Sequence, residues 1–179
     1  MVSVFILGGG RQKWIASLQD ILKRNFAAAW MGEQYFFSES EHPELLILEA
    51  ERLSHTIAPQ SIVLCKEPFS APQSADLPPD AVGLLSSSNL AAAEFLHRCG
   101  VRTITLGMSS KDTLTFSSIT PESAVLCLQR AICDLAGNTL EPVEIPLTLS
   151  RQCEPFSILC AAAILMLSER IDSLKQILF

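Results

Sequence analysis

Apolar and polar positions change spacing along this chain in a way that separates strands from helices. Val2 to Leu7 is a near-continuous apolar run that begins with β-branched residues, the pattern of a central strand covered on both faces. It breaks at Gly8-Gly9-Gly10. From Gln12 to Asn25 the apolar residues Ile15, Leu18, Ile21 and Leu22 recur at helical spacing, and Lys23 and Arg24 fall in the last turn, where the helix dipole favours cations. Phe26–Met31 reads as a second strand, 38–43 as a polar loop, and Leu45–Glu49 and Ser61–Cys65 as short buried strands. Residues 69–80 are rich in Pro and polar side chains and form a surface connection. Ala81–Leu85 returns to strand. Ser86-Ser87-Ser88-Asn89 then offers N-cap side chains for a helix through Arg98 that Gly100 closes. Val101–Leu106 is the next strand, ending at Gly107.

Strands alternating with helices over the first two-thirds predict an α/β fold, a three-layer, mostly parallel sheet. After Ser109 the spacing becomes extended. Thr113–Ile119, Ser123–Asp134 and Val143–Leu149, with a turn signal at Ala136-Gly137-Asn138, predict a C-terminal β-meander. Phe156–Leu167 and Ile171–Leu178 predict closing helices. The 179 residues fit a single domain, 1–179, large enough to bury a core.

Composition narrows the role. The chain is 49% hydrophobic with a mean hydropathy of +0.32, so an oligomer interface covering surplus apolar surface is expected. A net charge of −6 with scattered Lys and Arg lacks the basic stripe of a nucleic-acid binder. The opening apolar run is too short for a secretory signal, and Ile158–Leu167 is about half a membrane span, so a cytoplasmic protein with no membrane role is expected. The six cysteines, Cys65, Cys99, Cys127, Cys133, Cys153 and Cys160, show no metal spacing and mostly sit in apolar runs, as small buried thiols.

Ligands of open α/β sheets bind beyond the carboxyl ends of the strands. That rim collects the candidates for an anion or small ligand: Gly8, Gly9 and Gly10, whose amides open a helix, then Arg11, Lys13, Glu49, Lys66, Ser86, Asn89 and Lys111. Glu51, Glu67 and Asp112 share it. Such rims are polar in any α/β protein, so position alone does not make a site. His42, His55 and His97 do not cluster and no metal site is expected. No Gly-x-Ser-x-Gly elbow marks a nucleophile, and Glu49 and Glu51 alternate across a strand end rather than forming an acid–base pair.

The element order resembles the central, ATP-binding domain of the Mur ligase family, which joins amino acids to peptidoglycan precursors. The family's Gly-Thr-x-Gly-Lys-Thr loop corresponds to Gly8-Gly9-Gly10-Arg11-Gln12-Lys13-Trp14. Its acidic strand end, which helps hold magnesium, is similar to Leu45-Leu46-Ile47-Leu48-Glu49. An Asn ends the family's next strand where Lys66-Glu67 stand here. Its Asn-x-Asp-Asp turn resembles Ser86-Ser87-Ser88-Asn89, and its Val-x-Thr-Phe-Gly strand resembles Val101-Arg102-Thr103-Ile104-Thr105-Leu106-Gly107. The resemblance implies a P-loop/Rossmann-like fold, with ATP and Mg as the family's ligands.

The chemistry departs from it. A P-loop needs backbone amides around the phosphates, a Lys on the terminal phosphates and a hydroxyl on magnesium. Placing Lys13 in the lysine role puts Gln12 before it and Trp14 in the hydroxyl position; placing Arg11 there puts Gln12 in the hydroxyl position. No register supplies both partners, so ATP and Mg are disfavoured. A dinucleotide fingerprint is no better, because Lys13 stands where the third glycine packs helix on strand, and the acidic Glu33 is a weak match. The expectation is a non-catalytic Mur-ligase-like domain that binds a small anionic ligand or a protein partner, a second copy or a cell-wall enzyme. The alternative is an ATP-dependent, ligase-like or nucleotide-binding enzyme using Arg11, Lys13 and Glu49 unconventionally.

Overall fold

The computed structural model describes residues 1–10, 12–33, 35–38, 40–51, 57–72, 77–149 and 153–175, the last without its side chain. Arg11 and His55 lie outside the described residues. In chain order the elements are β1 (Val2–Leu7), α1 (Lys13–Asn25), β2 (Ala28–Met31), β3 (Phe36–Ser38), β4 (Leu45–Ala50), β5 (Ile62–Cys65) and β6 (Val82–Ser86). They continue with α2 (Leu90–Arg98), β7 (Arg102–Leu106), β8 (Leu114–Ile119), β9 (Ser123–Leu128), β10 (Ile132–Cys133), β11 (Thr139–Leu140), β12 (Val143–Thr148), α3 (Pro155–Leu167) and a 3₁₀ turn, Ile171–Lys175. The chain forms two compact units. One is Met1–Arg11 with Phe26–Ile104, the other Gln12–Asn25 with Thr105–Phe179.

The first unit is an α/β sheet in the order β6-β5-β1-β4-β2-β3. All neighbours from β6 to β2 run parallel, and only the edge strand β3 is antiparallel, on β2. The continuous apolar run of β1 places it centrally, between β4 and β5, with Ile6 opposite Glu49 and Leu7 opposite both Ala50 and Cys65. From β1 the next strand in sequence, β2, lies on one side, while β5 lies on the other. The glycines that follow Leu7 therefore leave the sheet at a switch point, the crevice where ligands of such sheets bind. Helix α2 packs Ala92, Phe95 and Leu96 into a core with Leu7, Val63, Cys65, Leu85 and Val101. Asn89 is its N-cap, accepting from the Ala92 amide at 3.2 Å. Gly100, in the left-handed region at φ +69°, follows its last turn.

The second unit holds α1 against α3. Trp14 meets Phe156 edge-on, with ring centroids 5.0 Å apart, and its indole N–H donates to Gln12 Oε1 at 2.6 Å. Every residue from Ser157 to Leu167 is buried, as expected of a helix that is apolar all round. Strands β8, β9 and β12 form an antiparallel meander with a bulge between Phe116 and Ser118.

Several expectations shift. The strand expected at Phe26–Met31 starts at Ala28. The extended segment Ser123–Asp134 divides into β9 and β10, because the turn at Ala136–Asn138 closes a separate β10–β11 hairpin in which both Asp134 carboxylate oxygens accept from Asn138. The last helix is a 3₁₀ turn as far as Lys175, and 176–178 lie outside the described residues. The cysteines are less uniformly buried than their apolar neighbours predict. Cys65 and Cys160 are buried, Cys99, Cys127 and Cys153 half-buried, and Cys133 exposed. Burial pushes the Cys65 thiol up to about 12 and raises Cys160 as well.

Candidate functional site: the glycine turn after the first strand

Three strand ends meet around Gly8-Gly9-Gly10. The Gly8 N–H donates to the Ala50 carbonyl at the end of β4 (3.1 Å), and the Gly9 N–H to the Pro68 carbonyl beyond β5 (2.9 Å). On the β5 side, the Lys66 N–H donates to the Leu7 carbonyl at 2.8 Å. Gly8 has φ +134°, and a Cβ there would lie 2.4 Å from the Lys66 carbonyl oxygen. Only glycine fits, because the backbones of β1 and the segment after β5 touch at this point.

The side chain of Lys66 then crosses the turn. Its ammonium donates to the Gly10 carbonyl at 3.0 Å and to Glu49 Oε1 at 2.5 Å, and only 4% of the side chain is exposed. Strand register explains the meeting. Glu49 and Lys66 stand on the two neighbours of β1, about two strand spacings apart, and a lysine stem is long enough to span that gap. Glu49, 21% exposed, is held on its other oxygen as well. The Tyr35 hydroxyl donates to Oε2 at 2.8 Å, and the Trp30 indole N–H donates to the same hydroxyl at 3.0 Å. The result is a polar chain of Trp30, Tyr35, Glu49, Lys66 and the Gly10 carbonyl. Burial first, then the hydrogen bond and charge of Glu49, push the Tyr35 phenol up to about 12.

The structure thus brings together Gly8, Gly9, Gly10, Glu49 and Lys66. Glu51 is exposed, with Oε1 3.8 Å from where a Gly9 Cβ would lie, so a second carboxylate borders the turn. A second cluster of the same unit sits at the ends of β5 and β6. Ser86 and Ser88 share a hydrogen bond of 2.7 Å, and the Ser88 hydroxyl donates to Glu67 Oε1 at 3.1 Å. Beside them Asn89 is buried and its Nδ2 has no hydrogen-bond partner among the described residues. Lys13 and Lys111 belong to the second unit, where both are exposed. The Lys111 carbonyl accepts from Arg130 at 2.8 Å, and Asp112 is buried, accepting from the Ser109 amide. Among the described residues no group of three or more His, Cys, Asp or Glu side chains could hold a metal ion, and no helix is long and apolar enough to cross a membrane.

Sequence reasoning missed Tyr35 and Trp30. The signal was present in Trp30-Met31-Gly32 and Tyr35-Phe36-Phe37, two β-prone runs around a short glycine-containing connection, which is a hairpin signature. Gly32 supports the hairpin directly, donating to the Tyr35 carbonyl at 2.9 Å and leaving space for the Tyr35 ring where a Cβ would stand.

No family model and no curated protein matches the sequence. Solved structures do match over nearly the whole chain. UDP-N-acetylmuramate:L-alanyl-gamma-D-glutamyl-meso-diaminopimelate ligase from Neisseria meningitides superposes with a TM-score of 0.56 at 12% identity, covering 97% of this chain and 62% of that one. MurF ligase from Thermotoga maritima, solved with ADP, gives 0.56 at 11% identity, covering 98% and 48%. MurF from Acinetobacter baumannii gives 0.52 at 12%, covering 98% and 45%. The chain thus spans 62% of the first of these and less than half of the other two. At such identities the likeness is one of architecture: this chain has a Mur-ligase-like α/β fold.

Proposed function

We propose that this chain is a non-catalytic Mur-ligase-like domain that acts by binding a protein partner. The observation that carries this reading is the position of Lys66. Its ammonium lies on the Gly10 carbonyl and on Glu49, while the Gly8 and Gly9 amides donate to the chain's own carbonyls. A phosphate in the turn needs those amides free. It would also meet Glu49 and Glu51, two carboxylates against one ammonium among the described residues. The turn is built as a closed contact between strands.

The apolar surface that remains outward supports the protein partner. At the β2–β3 edge Phe36 is 67% exposed and Tyr35 47%, with Met31 beside them. A small anionic ligand is the second reading, favoured by the unpartnered Asn89 amide beside the Ser86 and Ser88 hydroxyls at the start of α2. The Glu67 carboxylate bonded to Ser88 opposes an anion there, so the protein partner ranks first.

Calorimetry with ATP and magnesium tests the reading. We expect no saturable heat with the wild-type protein. Micromolar affinity accompanied by nucleotide turnover would establish the enzyme instead.

A further inference from the structure

A carboxylate at the end of the strand beside a glycine turn is where the fold implies a divalent metal, and Glu49 holds that place by resemblance. The donor set does not fit one. Both Glu49 oxygens are engaged, one by the Lys66 ammonium and one by the Tyr35 phenol, and the Gly10 carbonyl already faces the same ammonium. The hydroxyl position of the turn is Gln12 or Trp14 in either register. A magnesium ion requires oxygens at roughly 2.0–2.1 Å in near-octahedral array, whereas here an ammonium already donates to the two oxygens such an ion would need, Glu49 Oε1 and the Gly10 carbonyl.

We infer that the Lys66 ammonium is an internal cation that takes the place of a divalent metal against Glu49, and that its removal opens a site for a small primary alkylammonium ion. The inference rests on the closed-turn reading above. The arrangement is covalently tethered and nearly excluded from water, with only 4% of the lysine side chain exposed. A metal ion would have to displace a buried, paired charge to reach the carboxylate. Tyr35 is a positioning residue: by holding Oε2 it turns Oε1 toward the lysine. The spacing also explains why a lysine serves here. A compact ammonium on a long stem can reach between strands β4 and β5, across β1, while presenting N–H groups to a carboxylate and a carbonyl at once.

Chemical rescue tests this. Lys66→Gly removes the stem and the charge. The Lys66→Gly protein should melt below wild type and should be restored by propylammonium, by roughly 3–5 °C at about tenfold over its dissociation constant. Tetramethylammonium, which has no N–H, should not restore it, and Lys66→Gly/Glu49→Gln should not respond to either. Equal response to both cations, or to neither, overturns the inference. Because Lys66→Gly could fail to fold, a second measurement uses the wild type: any Mn²⁺ broadening of the Gly8, Gly9 and Gly10 amide resonances, which the exposed Glu51 carboxylate beside Gly9 can cause, should be the same in Glu49→Gln. Broadening that disappears in Glu49→Gln shows a metal at the carboxylate and overturns the inference whatever the fate of the glycine variant. Nucleotide turnover by the wild type sinks the non-catalytic reading alone, so the two failures are distinguishable.

Discussion

Lys66→Met is the perturbation that isolates the closing contact. Methionine keeps most of the stem volume, so no large cavity forms, and only the charge and its hydrogen bonds are lost. Glu49 is left with a carboxylate oxygen facing an apolar side chain, and the Gly10 carbonyl loses its donor. Breaking a buried ion pair by removing one partner costs about 3–5 kcal/mol. Glu49 is 21% exposed, so water can reach part of it and the low end applies. We therefore expect a loss of about 3 kcal/mol, equivalent to a melting shift of roughly 6–12 °C for a chain of this size. Urea unfolding followed by tryptophan fluorescence is the assay, since Trp30 sits in the same network. The companion Lys66→Met/Glu49→Gln removes the stranded charge and should recover at least half of the loss, because a neutral pair carries a smaller desolvation penalty. A single-variant loss below about 1 kcal/mol, or a double variant as unstable as the single, would refute the reasoning.

Gly8→Ala should cost about 3 kcal/mol or more, since φ +134° suits glycine and the new Cβ meets a backbone oxygen at 2.4 Å. Gly10→Ala, at φ +73° with its nearest neighbour at 3.7 Å, should cost only about 1–2 kcal/mol, and equal losses in denaturant titration would contradict the assigned geometry. Tyr35 is the one tyrosine of the chain, so tyrosinate absorbance reports it alone. Its midpoint should lie at about 12 in the native protein against 10.0 for the unperturbed group, and should fall toward the latter in Glu49→Gln. A raised folded-state value means the folded protein holds the proton more tightly, so this contribution to stability is complete below pH 10 and declines as pH rises through about 12. A native midpoint at the unperturbed value would exclude the Tyr35–Glu49 contact. Asn89→Ala should lose about 1 kcal/mol through the missing N-cap, while Asn89→Ser should lose less than half of that; identical thermal losses would show that the cap is not the cause.

The sequence carried the frame of the fold wherever a local rule was strong. The apolar run of β1, the helical spacing of α1, the cap at Asn89 and the glycine after α2 all rest on nearest-neighbour physics. The edge strand β3 was easy to overlook because its three residues, Phe36–Ser38, are too few to show an alternation, so that only the short glycine-containing connection before them marks a hairpin with β2. The site divides in the same way. Gly8–Gly10 and Glu49 could be picked out as strand-end residues. That Lys66 turns inward could not, since Glu49 and Lys66 are 17 positions apart and meet only because β1 lies between β4 and β5. Tyr35 was hidden for the same reason, being 14 positions from Glu49. A lysine at a sheet rim is ordinarily a solvated charge; here a carboxylate and a carbonyl placed by two other strand ends make its burial favourable.

The glycine turn is closed by its own chain. Amide resonances of Gly8, Gly9 and Gly10, followed while ATP with magnesium is titrated into the wild-type protein, test it most directly. Unmoved Gly8 and Gly9 resonances, with their amides still bonded to the Ala50 and Pro68 carbonyls, are the predicted result. Saturable shifts of both would show an open phosphate cradle and contradict the closed turn.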